Sequence, residues 1–427
     1  MTTQPRFIQI HTLHTYPAAL INRDDAGLAK RLPFGNAVRT RISSQCLKRH
    51  WRKTDDPFSL SMLHVPMAVR SRLFFEKIAE ILVSASVSDQ IANAIAFGLR
   101  EAMTKKDLGK LIKEAKKPPK KNKKAQINEE DFEEPTEETS TERKQAFLLG
   151  YPEYEYLKKV CLEVSQLPDI CEKNARLYLF EKIKAEQENL KQIALGCGLE
   201  SALFGRMVTS DVLAGREAAI YVGHAFTVHA AQVESDYFTV VDDLTGDSGE
   251  LGSAGIFDTE LTSGLYYGYV VVDVRQLVEN LEGIEAKDCF ADTTPAEKRK
   301  LAGTVVEHLL HLIATVSPGA KRGSTAPFDW AKFMLVEAGD WQPRSLAGAF
   351  HNALPLSLPL SARDGRSIRE RAVACLSDEI AKMDEAYGAT LTRRVMALDP
   401  VEIPQGQRLN LNALATWAAE AITKGVC

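Results

Sequence analysis

No two of the seven cysteines form a C-x-x-C pair, and none of the nine histidines belongs to an H-E-x-x-H motif. The cysteines (46, 161, 171, 197, 289, 375 and 427) are odd in number and scattered, which argues against both a zinc site and a disulfide framework. Reduced thiols, no metal and no cofactor are therefore expected. The chain has no run of eighteen apolar residues, and its opening MTTQPRFIQIH lacks the charged-then-apolar order of a secretion signal, so a cytoplasmic location is predicted. No internal repeat of useful length is visible. The basic loop GAKRGS (319–324) departs too far from the Walker pattern to suggest a nucleoside triphosphate. His308 and His311 in VVEHLLHL, like His224 and His229 in AIYVGHAFTVHAAQV, read as packing or surface residues.

What is present is an ordinary globular balance, with 45% hydrophobic and 26% charged residues over 427 positions. That length favours one large domain with insertions or two to three modules. A formal net charge of −4 speaks against a nucleic-acid partner, but the distribution matters more than the sum. Residues 1–53 carry ten basic side chains against Asp24 and Asp25, a local charge of +8.

FIQIHTLHT (7–15) alternates as a strand with one buried face and ends at Tyr16-Pro17. LINRDDAGLAKRLPFGNAVRTR comes next as a charged loop. ISSQCLKRHWRK then starts a helix that Ser43 or Ser44 caps. Residues 58–100 have helical period, with Leu73, Phe74, Ile78, Ile81 and Leu82 forming an apolar face. Ten lysines between 105 and 124 precede eight acids between 129 and 142, a stretch with too few apolar residues to offset its ordering entropy. It is expected to be a mobile insertion that is either a self-neutralising solvated loop or a nucleic-acid contact. Helices return over 147–200. The β-branched and aromatic runs 219–233 and 264–274 mark central strands, separated by an Asp- and Gly-rich excursion that predicts a projecting hairpin. Helices with a strand or two complete the chain from about Pro295. The fold class expected is α+β on an antiparallel sheet, of ferredoxin-like or RNA-recognition-motif outline.

The strongest chemical signal is RTRISSQCLKRHWRK (39–53). Arg39 and Arg41 on an extended stretch, succeeded by serine hydroxyls and the free amides of a helix N-terminus, make a candidate phosphate site. Lys48, Arg49 and Arg52 extend the track along an RNA backbone. Lys48 lies four residues from Arg52, as Gln45 does from Arg49, so two adjacent stripes present cations. Read alone, the same residues also fit an ordinary solvated basic helix.

VRTRISSQCLKRHWRK (38–53) resembles the V-R-x-S-S-Q-x-L-K-R signature of the CasC family, the seventh Cas family, and LINRDD (20–25) matches the segment before it. ALFGRMVTSD (202–211), AIYVGHAFTVHAAQVESDYFTVVDDL (219–244) with LTSGLYY (261–267), and ATVSPGAKRGSTAPF (314–328) agree in order and spacing. The resemblance spans nearly the whole chain. It is to the repeating backbone subunit of type I-E CRISPR Cascade complexes, a non-catalytic protein of the RAMP superfamily. The charged stretch at 101–146 departs from the family by its length.

The resemblance implies a hand: a recognition-motif palm (1–57, 201–233 and 256–427), helical fingers (58–200) and a β-hairpin thumb (234–255). It implies that Lys30, Ser43, Gln45, Lys48, Arg49 and Arg52 grip guide phosphates and that Met207 presses on a kinked base, a task that suits an adaptable thioether. In the thumb, Tyr237, Phe238, Val240 and Val241 beside Asp236, Asp242 and Asp243 suit an apolar wedge between bases better than a phosphate track. Lys321 and Arg322 are expected to add backbone contacts. The implied partners are CRISPR guide RNA, target DNA in an R-loop, copies of the chain in a helical filament, and the other Cascade subunits: the 5′-handle cap, the guide-processing endonuclease, and the large and small subunits.

Two enzymatic alternatives compete with the scaffold. Type III relatives cut target RNA with an aspartate in the loop after the first strand, where Asp24 and Asp25 stand here, with a metal as possible helper. A guide-processing endonuclease needs a general base, for which His11 and His14 are the candidates. Target reading by base pairing, with the protein sensing shape, needs neither.

Overall fold

The computed structural model describes residues 3–105, 107–116, 146–193, 197–207, 212–213, 215–241, 253–359, 361, 365–388 and 391–427. Most of the lysine/glutamate stretch and the tip of the expected hairpin, with Asp242 and Asp243, lie outside them. The chain divides into two compact units, one of residues 1–63, 220–279 and 284–427 and the other of 64–219 and 280–283. The fold is α+β.

In the first unit, β1 (Phe7–Ala19) lies between β9 (Ser253–Asp273) and β10 (Phe333–Gly339), antiparallel to both. The sheet continues through β11 (Thr392–Ala397) and β12 (Gly406–Arg408) on one side. On the other it runs through β7 (Ala225–Thr227), β3 (Ala37–Ile42) and β2 (Arg31–Phe34), with β6 (Ile220–Val222) and β8 (Gln232–Val241) also on β9. Every pairing is antiparallel except β11 with β12. The run 219–233 is thus not one strand: Gly223 and His224 separate the three-residue strands β6 and β7, and residues 228–231 separate β7 from the ten-residue β8.

Helix α1 (Ser44–Lys53) comes after β3, and α8 (Val274–Glu282) continues directly from β9. Helix α9 (Glu297–Thr315) leads to β10, α10 (Ile368–Tyr387) to β11, and α11 (Leu411–Lys424) closes the chain. Their starts reflect local chemistry. Ser367 and Glu370 form a reciprocal capping box on α10, and Asn410 Oδ1 accepts from Ala413 N at 2.8 Å on α11. At Gly303 in α9 an added Cβ would sit 2.7 Å from the Ala419 carbonyl oxygen of α11, so the two helices approach where a side chain is missing.

β1 departs from the one-faced strand that alternation predicts. Both faces are buried as far as His14, and the strand runs on past Pro17 to Ala19 through an irregularity in the ladder. Gln9 and His11, polar in the pattern, are fully buried and hydrogen-bonded. Gln9 Oε1 accepts from Tyr269 Oη (2.9 Å) and Arg344 N (2.8 Å), while the His11 ring meets Tyr267 Oη at 2.8 Å and Glu337 Oε2 at 3.2 Å.

The charged loop expected over 20–41 contains the hairpin of β2 and β3, with Phe34 opposite Ala37 and the two-residue turn Gly35-Asn36 between them. Gly35 has φ +59°, which the turn requires, and an added Cβ would fall 1.6 Å from the His351 carbonyl oxygen. Gly35→Ala is expected to destabilise this unit by more than about 2 kcal/mol, seen as a lower midpoint in urea.

The second unit carries its own core. β4 (Ala68–Ser71) pairs with β5 (Phe147–Gly150). Around them lie α2 (Phe74–Ser84), α3 (Asp89–Thr104), α4 (Leu108–Ala115), α5 (Tyr151–Ser165), α6 (Glu172–Gln192) and α7 (Leu199–Phe204). Phe74, Ile78, Leu99, Leu157, Phe180 and Ile183 are among its buried residues. Leu73, expected on the apolar face, is instead the exposed residue that precedes α2. No helix among the described residues is long and apolar enough to cross a membrane.

Candidate nucleic-acid interface

Helix α1 exists because Ser43 stops the strand and caps the first helical turn. Its hydroxyl accepts from Cys46 N at 3.3 Å, and its own N–H donates to Asn22 Oδ1 at 2.9 Å. Ser43 is buried in doing so. Trp51 is buried, and Cys46 and Leu47 pack on the cluster of Tyr16, Ile21, Ile42, Ala225 and Tyr266, which fixes the rotation of the helix. Gln45, Arg49 and Lys53 are thereby turned outward as one stripe, and Lys48 and Arg52 flank it half-buried. Neither Arg49 nor Lys53 has an ion pair among the described residues. Burial alone holds the Lys48 ammonium below its ordinary pKa.

Other cations converge on the same face. Arg41 Nη1 lies 3.1 Å from His224 Nδ1, and Arg41 N donates to the Lys30 carbonyl at 2.8 Å, so Lys30 and Arg41 are neighbours. Burial first, then Arg41 and Lys30, holds the His224 imidazole below its usual range. The His50 imidazole is lowered by burial and then by the charges of Arg322, from the 317–328 loop, and Arg49. In that loop Lys321 Nζ donates to Thr259 Oγ1 (2.6 Å) and Arg322 Nη2 to the Ser317 carbonyl (3.3 Å), and a single helical turn (Arg322–Thr325) begins at this pair. Lys30 and Arg41 are thus adjacent, and the charges of Arg49 and Arg322 both act on His50. Arg31, nearby, is neutralised by Glu260. His224 and Lys53 belong to this face although neither stood out in the sequence; the i, i+4 spacing of Lys53 from Arg49 was the available signal.

Arg39 is a correction. It is fully buried, and its guanidinium donates to the carbonyls of Thr227 (2.9 Å) and Phe350 (2.8 Å). No phosphate reaches it. Arg39 and Arg41 share a strand face, but the turn at 347–350 covers Arg39 and not Arg41.

Met207 belongs to the second unit and is 96% exposed. Its neighbour Arg206 is anchored by a backbone bridge to Arg216 and by a buried, two-pronged ion pair with Glu153. The thioether therefore projects from a fixed base. On the β8–β9 hairpin, the Phe238 and Phe257 rings stack at 5.4 Å, and both are exposed, as is Tyr237. Val240 and Val241 pair along the backbone with Gly255 and Ser253.

The enzymatic candidates have structural engagements. Asp24 Oδ1 accepts from Ala26 N and Leu28 N, both at 3.0 Å, which closes a turn, and Asp25 is exposed. Among the described residues no group of three or more His, Cys, Asp or Glu side chains could hold a metal. His11 is fully buried, and burial pushes the His14 imidazole down to about 4 beside Asp329. His308 donates toward the Phe58 carbonyl, on whose ring His311 stacks at 3.6 Å, and His229 bonds the backbone of Ala230 and Leu265.

The model of the Cas CT1975 family, CT1975-like protein, matches residues 8–420. The chain belongs to that family. A search of curated proteins finds no match. Among solved structures, this CT1975-like chain is similar to a chain of a CRISPR RNA-guided surveillance complex, pre-nicking. The two are 23% identical with a TM-score of 0.66, over 96% of this chain and 100% of that one. A chain of another CRISPR RNA-guided surveillance complex is 19% identical with a TM-score of 0.50, over 96% and 99%. At such identities the likeness is one of fold.

Proposed function

We propose that this CT1975-like chain is a guide-RNA-binding backbone subunit of a type I-E Cascade surveillance complex, a scaffold and not an enzyme. The observation that carries the reading is the outward stripe of Gln45, Arg49 and Lys53, flanked by Lys48 and Arg52 and joined by Lys30, Arg41 and Arg322. Such a surface neutralises backbone phosphates without reading bases. The sheet β10-β1-β9-β7 with α1 and α9 supports the recognition-motif palm, the helical second unit the fingers, and β8 with β9 the thumb. Copies of the chain line the guide, each with Met207 and the Tyr237/Phe238 end of its hairpin against bases. Target DNA enters by pairing with the guide in an R-loop, in cytoplasmic antiviral defence, with the cap, endonuclease, large and small subunits as partners.

The test is co-purification from cells that express a CRISPR array and the neighbouring subunits. Wild type should carry guide-length RNA of any spacer sequence in a multi-subunit particle, and Arg49→Ala/Lys53→Ala should lose most of that RNA. Wild type that elutes with no RNA, or with one preferred base sequence, would overturn the reading. Complementary RNA added to the particle should stay intact; cleavage that stops with Asp24→Ala or Asp25→Ala would replace the scaffold by a ribonuclease.

A further inference from the structure

A cleft lies in the first unit, away from any residue assigned above to RNA. It encloses about 330 Å³ where the loop after β10 meets the C-terminal end of α10. Two of its lining residues, Trp341 and Tyr387, are 56% and 74% exposed, unusual for aromatic rings on one small cleft. Met383 and Leu391 add apolar lining, and Arg344 and Arg393 line it as well.

Those two guanidiniums are already committed. Arg393 donates to Glu337 (2.7 Å) and twice to Asp384 (2.5 and 2.7 Å), and Arg344 donates twice to Glu337 (2.5 and 2.9 Å). Two cations meet two carboxylates, so the floor is electrically balanced and offers no unpaired charge to a phosphate or an ammonium. Flat apolar lining over a neutral, rigid floor suits a flat uncharged ring. Gln342, exposed at the rim, has no hydrogen bond to any described residue, and its amide can donate and accept at once.

We propose that this cleft binds a nucleobase, stacked on Trp341 and Tyr387 and held at its polar edge by Gln342. The base is presented either by a free nucleoside or nucleotide or by a single strand. The site differs in kind from the α1 face, because stacking on a neutral floor contributes affinity that salt does not screen.

The experiment is equilibrium dialysis of the full chain with adenosine, with AMP and with a short oligoadenylate, each at roughly 50 and 200 mM salt. Adenosine and AMP should bind alike and independently of salt. Trp341→Ala or Tyr387→Ala should weaken adenosine by about 5- to 150-fold, while Trp341→Phe should stay within about threefold. Both truncated rings are exposed, so circular dichroism should be unchanged. If oligoadenylate loses affinity in Trp341→Ala by the same factor as adenosine, the strand is a source of the base; if only the mononucleosides respond, the source is free ligand. No adenosine binding at about 10 mM, AMP binding that is tighter and salt-sensitive, or adenosine binding indifferent to both truncations would each overturn the proposal.

Discussion

Glu337→Gln is expected to destabilise the first unit by about 3–5 kcal/mol, among the largest effects a single side chain can have here. Glu337 is fully buried on β10 and is the shared acceptor of Arg393, Arg344 and His11. Removing its charge keeps the shape but leaves the Arg344 guanidinium without its counter-ion and Arg393, 1% exposed at its side chain, with Asp384 alone. Burial opposes the Glu337 anion, but the hydrogen bonds and charges of His11 and Arg344 outweigh it and hold the carboxyl far below the usual range. Because that folded-state pKa is depressed, the stabilisation is present above about pH 4.3 and is lost only as pH falls further. Thermal or urea unfolding at pH 7 checks the magnitude, and the same measurement near pH 4 should show the wild type still holding most of this contribution. An unchanged midpoint in Glu337→Gln would mean that the network is not a stabilising one.

The second large effect is on RNA affinity. Each phosphate contact on a single strand contributes a slope of about −0.7 in log K against log salt. If Arg41, Arg49 and Lys53 each neutralise one phosphate, their replacement by alanine flattens the slope by about 2 and lowers affinity about a hundredfold at roughly 0.1 M salt. Filter binding of the assembled particle to RNAs of one length and unrelated sequence checks both. The three substitutions are on half-buried or exposed side chains, so stability should move by less than about 1 kcal/mol. An unchanged slope would take the α1 face out of the RNA path.

The same stretch shows how far the sequence reaches. Helix α1 was legible because its determinants are local: a serine cap and a four-residue spacing of cations. Arg39 was not, because what buries it is the carbonyl of Phe350, 311 residues along the chain. The β2–β3 hairpin was missed although Phe34-Gly35-Asn36 is a turn signal, since the charges around it read as a loop. His11 and Gln9 passed for one face of a half-exposed strand, because their partners Glu337, Tyr267 and Tyr269 arrive from β9 and β10. The cleft of Trp341 and Tyr387 left no trace in local pattern at all, being made of a loop and a helix end 46 residues apart. Strand density, the helix-rich middle segment and the α+β class came through, since each depends on local composition.

The place of β1 sets a timetable for synthesis. The strand is made well before its neighbours in the sheet, whose paired residues run from Thr262, opposite Ala19, to Gly339, opposite Phe7, which also faces Asp273. At about 5–20 residues per second, Phe7 waits roughly 13–50 seconds for its first ladder partner. During that interval the 64–219 segment, whose core is drawn from its own residues, can fold. The nascent chain is thus a finished helical body tethered to an apolar strand with no sheet, and demand for a chaperone should be concentrated on Phe7–Ala19 until the last third emerges.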